Sequence, residues 1–220
     1  MIKAEATSTP SKLLDAALVE FAAHGFEAAS TRAIAARAGV HQPQINYHFS
    51  SKAALWRAAV DHLFAQLAAD IAPVVADAGD DRARFASAVR AFVHFAAAHP
   101  ELNRIMVHEA TVDSDRLRWL VDTHVRAAFG FVTNMWRTLR ADDAVPAIDD
   151  TVVYYLLVGG ASLLYVNAAE ARLLRPDVDP TDPSLIDAHA DALVALLLGP
   201  AVARSTAPTT TDRPIPSPRS

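Results

Sequence analysis

The side chains best suited to a specific chemical task stand together just after the turn Ala38-Gly39-Val40: Gln42, Gln44, Asn46, Tyr47 and His48. They donate and accept hydrogen bonds, which is what reading the edge of a base pair requires. Glutamine bonds adenine bidentately in the major groove, while Tyr and His more often reach backbone phosphates. Pro43, in the first turn of the same short segment, loses no helical hydrogen bond there. It stiffens the reading end and offers an apolar contact to a thymine methyl. Lys52, one residue past Ser51, stands at the start of the next helix, where a cation and backbone N–H groups grip one phosphate. Ser30 caps the preceding helix and leaves its N–H groups facing a phosphate. Arg32 and His41 complete the set expected to face DNA.

These residues need elements that hold them out. Apolar residues recur at three-four spacing throughout and no stretch alternates for long, so the chain is predicted to be all-α. A first helix starts at Thr9-Pro10, with Leu13, Leu14, Ala17, Leu18 and Phe21 on its apolar stripe, and stops at Gly25. Two short helices follow at Ser30 to Ala38 and His41 to His48. Gly39 supplies the sharp turn between them, Ala35 is small where the second crosses, and Ile34, Ala38, Val40, Ile45 and Phe49 hold the pair. A longer helix runs from Ser51 to about Ala72, ended by Pro73. Further helices are expected at Arg82 to Ala98, Pro100 to Ala110, Asp115 to Ala141, Asp149 to Leu174 and Pro183 to Leu198.

Leu13 through Leu55 also resembles the N-terminal domain of the tetracycline-repressor (TetR) family. The resemblance lies in an Ala-rich first helix with Phe21 and Gly25, then Ile34-Ala35, Ala38-Gly39-Val40, Phe49 and Lys52-x-x-Leu55, over about 50 residues. Three positions depart from the family pattern. His41 stands where Ser is frequent and weakens the cap of the reading helix. Asn46 stands where Tyr is frequent, so Tyr47 implies a shifted aromatic contact to the DNA backbone. Ala54 replaces an acidic residue and leaves Ser51 without the partner of a full capping box.

The resemblance implies a C-terminal domain of about six helices, with a ligand cavity between them and a dimer interface made by the last two. The residues agree with both. Val152 to Val166 is apolar on more than one face and reads as a buried helix, with Gly159 and Gly160 allowing another helix to approach. Leu185, Ala188, Ala192, Leu193, Leu196 and Leu197 make a second such helix, so a four-helix bundle across a two-fold axis is expected, formed by Val152 to Val166 and Leu185 to Leu197. Phe92, Phe95, Met106, His124, Phe129, Trp136 and Tyr155 are the expected pocket residues, apolar walls with a few polar groups among them.

The rest of the chain narrows the function. Its net charge is -5, yet residues 1–60 carry six basic side chains against four acidic, and the remainder 14 against 21. The N-terminal part is therefore the one suited to an anion. No cysteine is present, so disulfides and thiolate-bound zinc are excluded. The histidines lack helical metal-pair spacing, so neither a metal nor a cofactor is expected. The apolar run at Val152 to Val166 is short of the ~20 residues that span a bilayer. No Gly-rich phosphate loop follows a strand and no Ser/His/Asp set is identifiable by spacing, which weighs against an enzyme. The expectation is a homodimeric, cytoplasmic, nucleoid-associated transcriptional regulator, released from a near-palindromic operator by a small-molecule effector. An activator of the same family is the alternative, and a constitutive architectural DNA binder is a further rival. The domains are expected at 9–69 (DNA-binding), 70–203 (ligand-binding and dimerisation) and 204–220 (a Pro/Thr/Ser tail too polar to order itself).

Overall fold

The computed structural model of the chain describes residues 8–143 and 145–199. The tail expected at 204–220 lies outside the described residues. Within them every regular element is helical: α1 (Thr9–Ala28), α2 (Thr31–Ala38), α3 (Pro43–His48), α4 (Lys52–Ala76), α5 (Asp81–Ala98), α6 (Glu101–Ala110), α7 (Asp115–Leu120), α8 (Arg126–Ala141), α9 (Asp150–Val166), α10 (Ala168–Leu174) and α11 (Pro183–Leu198).

Capping explains most of the starts. Ser8, Ser30, Ser51, Asp80, Ser114, Asp149 and Asp182 each accept a hydrogen bond from a backbone N–H of the first turn that follows. Such a cap contributes about 1 kcal/mol. Gly25, with φ +69°, is where α1 breaks, but one more turn follows it and closes when Ala29 N–H donates to the Gly25 carbonyl.

Besides this extra turn of α1 beyond Gly25, three boundaries differ from the sequence expectation. Helix α4 continues past Pro73 to Ala76, because Pro73 removes a single N–H and the flanking turn still closes on Asp77. The single helix expected at Asp115 to Ala141 carries a π turn at Val121–Val125 between α7 and α8. The one expected at Asp149 to Leu174 bends by 68° between α9 and α10. None of these three has a signal in apolar spacing.

The apolar side chains form two clusters. One joins α1, α2, α3, α4 and α6 around Leu13, Phe21, Ile34, Ile45, Leu55, Trp56 and Leu63. The other joins α5, α8, α9 and α11 around Phe85, Val89, Val93, Trp136, Val153, Leu157 and Leu193. Helix α4 is long and apolar enough to cross a membrane by length and composition. Its buried residues, from Leu55 to Leu67, instead pack into the first cluster.

Candidate nucleic-acid interface and cavity

Helix α2 starts on Ser30, whose Oγ accepts from Ala33 N–H at 3.4 Å, while Ser30 N–H donates to the buried carboxylate of Glu20 at 3.2 Å. It ends on Gly39 at φ +69° and ψ +30°, the left-handed conformation in which a side chain is strained. That single residue turns the chain between α2 and α3. Ile34 and Ile45 are fully buried between the two helices, and Ala38, Val40 and Phe49 pack at the edge.

The opposite face of α3 is open. His41, Gln42, Pro43, Gln44, Asn46 and Tyr47 are exposed, Tyr47 at 84 %, and His48 is half-buried with its ring edge-on to Tyr47. Two of these groups are engaged within the chain. Gln44 Oε1 accepts from His41 N–H at 3.2 Å, and Gln42 Nε2 donates to Thr31 Oγ1 at 3.3 Å. The first bond stands in for the missing cap: α3 begins with no side chain capping it at Gln42 or His41. Both bonds are solvent-exposed, so exchanging either for one to a base costs little.

The cations are placed unequally. Arg32 is exposed. Lys52 Nζ donates to the Glu27 carbonyl at 3.0 Å and lies 4.8 Å over the Phe26 ring, tying α4 to the end of α1. Ser51 Oγ accepts from Ala54 N–H at 3.0 Å, half of the capping box that Ala54 leaves incomplete.

Helices α6 and α7 hold the head formed by α1, α2 and α3. His108 Nε2 meets the Ala22 carbonyl at 3.2 Å, and its ring lies against Gly25, where an added Cβ would stand 3.4 Å from Nδ1. Arg116 Nε donates to the buried Glu109 carboxylate at 3.1 Å, its NH1 to Glu27 at 3.1 Å, and its guanidinium lies 4.1 Å over Phe26. Trp56, from α4, meets both Phe26 and Trp119 edge-on.

A cavity of about 430 Å³ lies between α4, α5, α6, α8 and α9. Its wall is made chiefly of Phe64, Leu67, Phe85, Val89, Phe92, Met106, Val132, Met135, Leu157 and Leu163, with Asn103, His99, Tyr154, Tyr155 and Ser162 as the polar members. Burial holds the Tyr154 hydroxyl above the usual phenol range, with the neighbouring Tyr155 adding to it, so Tyr154 stays a neutral donor at physiological pH. Among the described residues no three His, Cys, Asp or Glu side chains stand together to hold a metal ion.

Of the expected pocket residues, Phe92, Met106 and Tyr155 line this wall, and four lie elsewhere. Phe95 is buried in the first cluster with its ring 4.5 Å from His99. His124 stacks on Phe64 at 4.4 Å and its Nε2 lies 2.8 Å from an Asp61 carboxylate oxygen, clamping the π turn to α4. Phe129 stands edge-on behind Tyr154. Trp136 is fully buried and donates to the Ile148 carbonyl at 3.3 Å. Sequence reasoning missed Asn103 and Tyr154. Their one signal was a polar group on an otherwise apolar helical face.

Helix α9, expected to be buried, shows an apolar stripe to solvent in the single chain: Val152, Tyr155, Leu156 and Leu163 are at least half exposed, and Leu196 of α11 is 82 % exposed. The paired glycines of α9 differ in surroundings. Gly160 lies under Leu193, where a Cβ would approach to 2.9 Å, whereas Gly159 faces open space. The two helices are also bridged by polar groups: Tyr165 OH lies 2.9 Å from His189 Nδ1, and His189 Nε2 lies 2.8 Å from the Gly160 carbonyl. Since a carbonyl only accepts, Nε2 carries the proton and Nδ1 accepts from the tyrosine.

A short polar helix that follows a left-handed glycine after a capped helix has the form of a helix-turn-helix unit. Residues 13–59 match the model for bacterial regulatory proteins of the tetR family. The HTH-type transcriptional activator FasR of Mycolicibacterium smegmatis is 37% identical over 84 residues, which is 38% of this chain and 38% of that relative's length. Among solved structures, AibR in complex with isovaleryl coenzyme A and operator DNA superposes with a TM-score of 0.70 at 17% identity, covering 88% of this chain and 100% of that one. FadR from Bacillus subtilis in complex with stearoyl-CoA gives 0.61 at 14% identity, covering 84% and 97%. At these identities the likeness is one of fold.

Proposed function

We infer that the chain is a homodimeric, effector-released repressor. One observation carries the reading: α6 serves both functional regions at once. Asn103, Met106 and Val107 stand in the cavity wall, while His108 and Glu109 of the same helix engage α1 and the Arg116 junction. A molecule filling the cavity bears on the helix that seats the head.

Two copies pair through the apolar stripe of α9 and the outer face of α11, which sets two α3 helices about one DNA turn apart (~34 to 36 Å) in successive major grooves. Gln42 and Gln44 read base edges, and Asn46, Tyr47, His48, Lys52 and the N-terminus of α2 at Ser30 and Arg32 hold phosphates. An effector that binds better to a different spacing of the heads draws the population away from the DNA-bound state. The helix α4, shared by both domains, transmits the change. The protein acts in the cytoplasm, on the nucleoid, with no cofactor.

Selection of bound fragments from a random DNA pool tests this directly. A near-palindromic site bound by two chains is the expected outcome; binding without sequence preference, or by a single chain, overturns it. An activator working through the same operator is the second reading, favoured by the activator FasR among the relatives of the head. A reporter driven from the native promoter in cells with and without the gene separates the two by the sign of the change.

A further inference from the structure

The cavity wall contains no Asp, Glu, Lys or Arg. Acyl thioesters of coenzyme A, seen with two proteins of the same fold, bring a pyrophosphate and a further phosphate, which ask for several cations. This chain offers none there. No lysine occurs after Lys52. Among the described residues of α5 to α11 and their loops, every arginine already holds an acceptor of this chain: Arg82 and Arg104 bond backbone carbonyls, and the others pair with carboxylates. A free carboxylate would meet one imidazole, His99, and no Lys or Arg in the wall, and burying it without a full cation is strongly unfavourable.

Hydrogen-bonding capacity is present nonetheless. The Ser162 hydroxyl is occupied by the Val158 carbonyl at 2.6 Å, but the Asn103 amide, the Tyr154 and Tyr155 hydroxyls and the His99 imidazole line the cavity with no side-chain hydrogen bond inside the chain among the described residues, Asn103 and Tyr154 being less exposed than Tyr155. At ~30 Å³ for each water-sized unit, the cavity volume of about 430 Å³ takes on the order of fifteen non-hydrogen atoms.

We propose that the effector is an uncharged, largely apolar molecule of about that size, carrying one or two hydrogen-bonding groups that meet Asn103 and Tyr154, and that it is neither a coenzyme A thioester nor a free acid. The proposal rests on the reading of the cavity as an effector site. The apolar wall supplies most of the affinity, and the two polar groups orient the ligand.

The test uses the full chain and a matched pair of fluorophores: N-phenylnaphthylamine, which is neutral, and anilinonaphthalenesulfonate, the same ring system with an anionic group. The neutral dye is expected to bind one per chain, at least about tenfold tighter than the sulfonate. Dodecanol should displace it at least about tenfold better than dodecanoyl coenzyme A or dodecanoate. Ala88→Phe, which fills the cavity, should lose the dye. Asn103→Leu, which keeps the volume, should retain the dye and weaken displacement by dodecanol several-fold. Equal or tighter binding of the sulfonate or the thioester overturns the proposal, as does failure of the neutral dye to bind chain whose circular dichroism shows it folded. DNA binding, followed in parallel on the selected site, separates this from the reading beneath it. Neutral ligands that fill the cavity without moving DNA affinity uphold the ligand class and end the effector reading; a thioester that releases DNA does the reverse.

Discussion

Helices α3 and α9 both present a face to solvent, and they do so in opposite chemistry. On α3 the exposed groups are amides, a phenol and an imidazole, with Gln42 and Gln44 bonded to Thr31 and the His41 backbone. On α9 the exposed groups are Val152, Tyr155, Leu156 and Leu163, in a continuous helical stripe. Water satisfies the first face, so α3 stands open at no cost and trades weak exposed bonds for bonds to a base. Water opposes the second, at roughly 25 cal/mol for each Å² left uncovered, so α9 calls for a partner. On the proposed reading, one face takes a reversible ligand and the other a lasting neighbour.

The comparison breaks most visibly at α9. Leu156→Asp combined with Leu196→Asp should convert the proposed dimer to monomers in analytical ultracentrifugation and lower operator affinity by two orders of magnitude or more. Thermal stability of the single chain should barely move, because both side chains are exposed. Dimers that persist would place the interface elsewhere.

On α3 the effects are smaller and should differ in kind. Gln44→Ala should relax base preference at one position by ~1 to 3 kcal/mol, whereas Lys52→Ala should weaken every sequence alike and flatten the salt dependence. Binding titrations on single-base operator variants at several salt concentrations resolve the two. Uniform loss in both would remove Gln44 from base reading.

The junction between the regions comes next. Arg116→Ala leaves the buried Glu109 carboxylate without its cation. A destabilisation of about 2 kcal/mol is expected in denaturant unfolding, below the value for a fully buried pair because Arg116 is partly exposed. Arg116→Lys should recover only part of it, since the stacking over Phe26 and the second bond to Glu27 need the planar group.

The smallest effect lies between α9 and α11. Burial pushes the Tyr165 phenol up to about 12. Because the unfolded phenol titrates near ~10, its contribution to stability is complete below that pH and is lost as the pH rises towards 12. An ultraviolet titration of tyrosine should show a late-ionising group that is absent in Tyr165→Phe. That variant should lose about 1 kcal/mol by leaving His189 Nδ1 without its donor.

What the amino-acid sequence decided alone was local. A capping serine, a glycine that accepts positive φ and apolar residues three or four apart act through neighbours along the chain, so the helices, the turn at Gly39 and the polar face of α3 were legible in it. Packing decided the rest. Whether an aromatic walls a void, as Phe92 does, or fills a core, as Trp136 does, depends on how five helices meet, and both lie on equally regular stripes. The same holds for α9, which is apolar on several faces by composition and shows four of its twelve apolar residues to solvent in the single chain, because burial is fixed by which helices cover a face and not by the face itself.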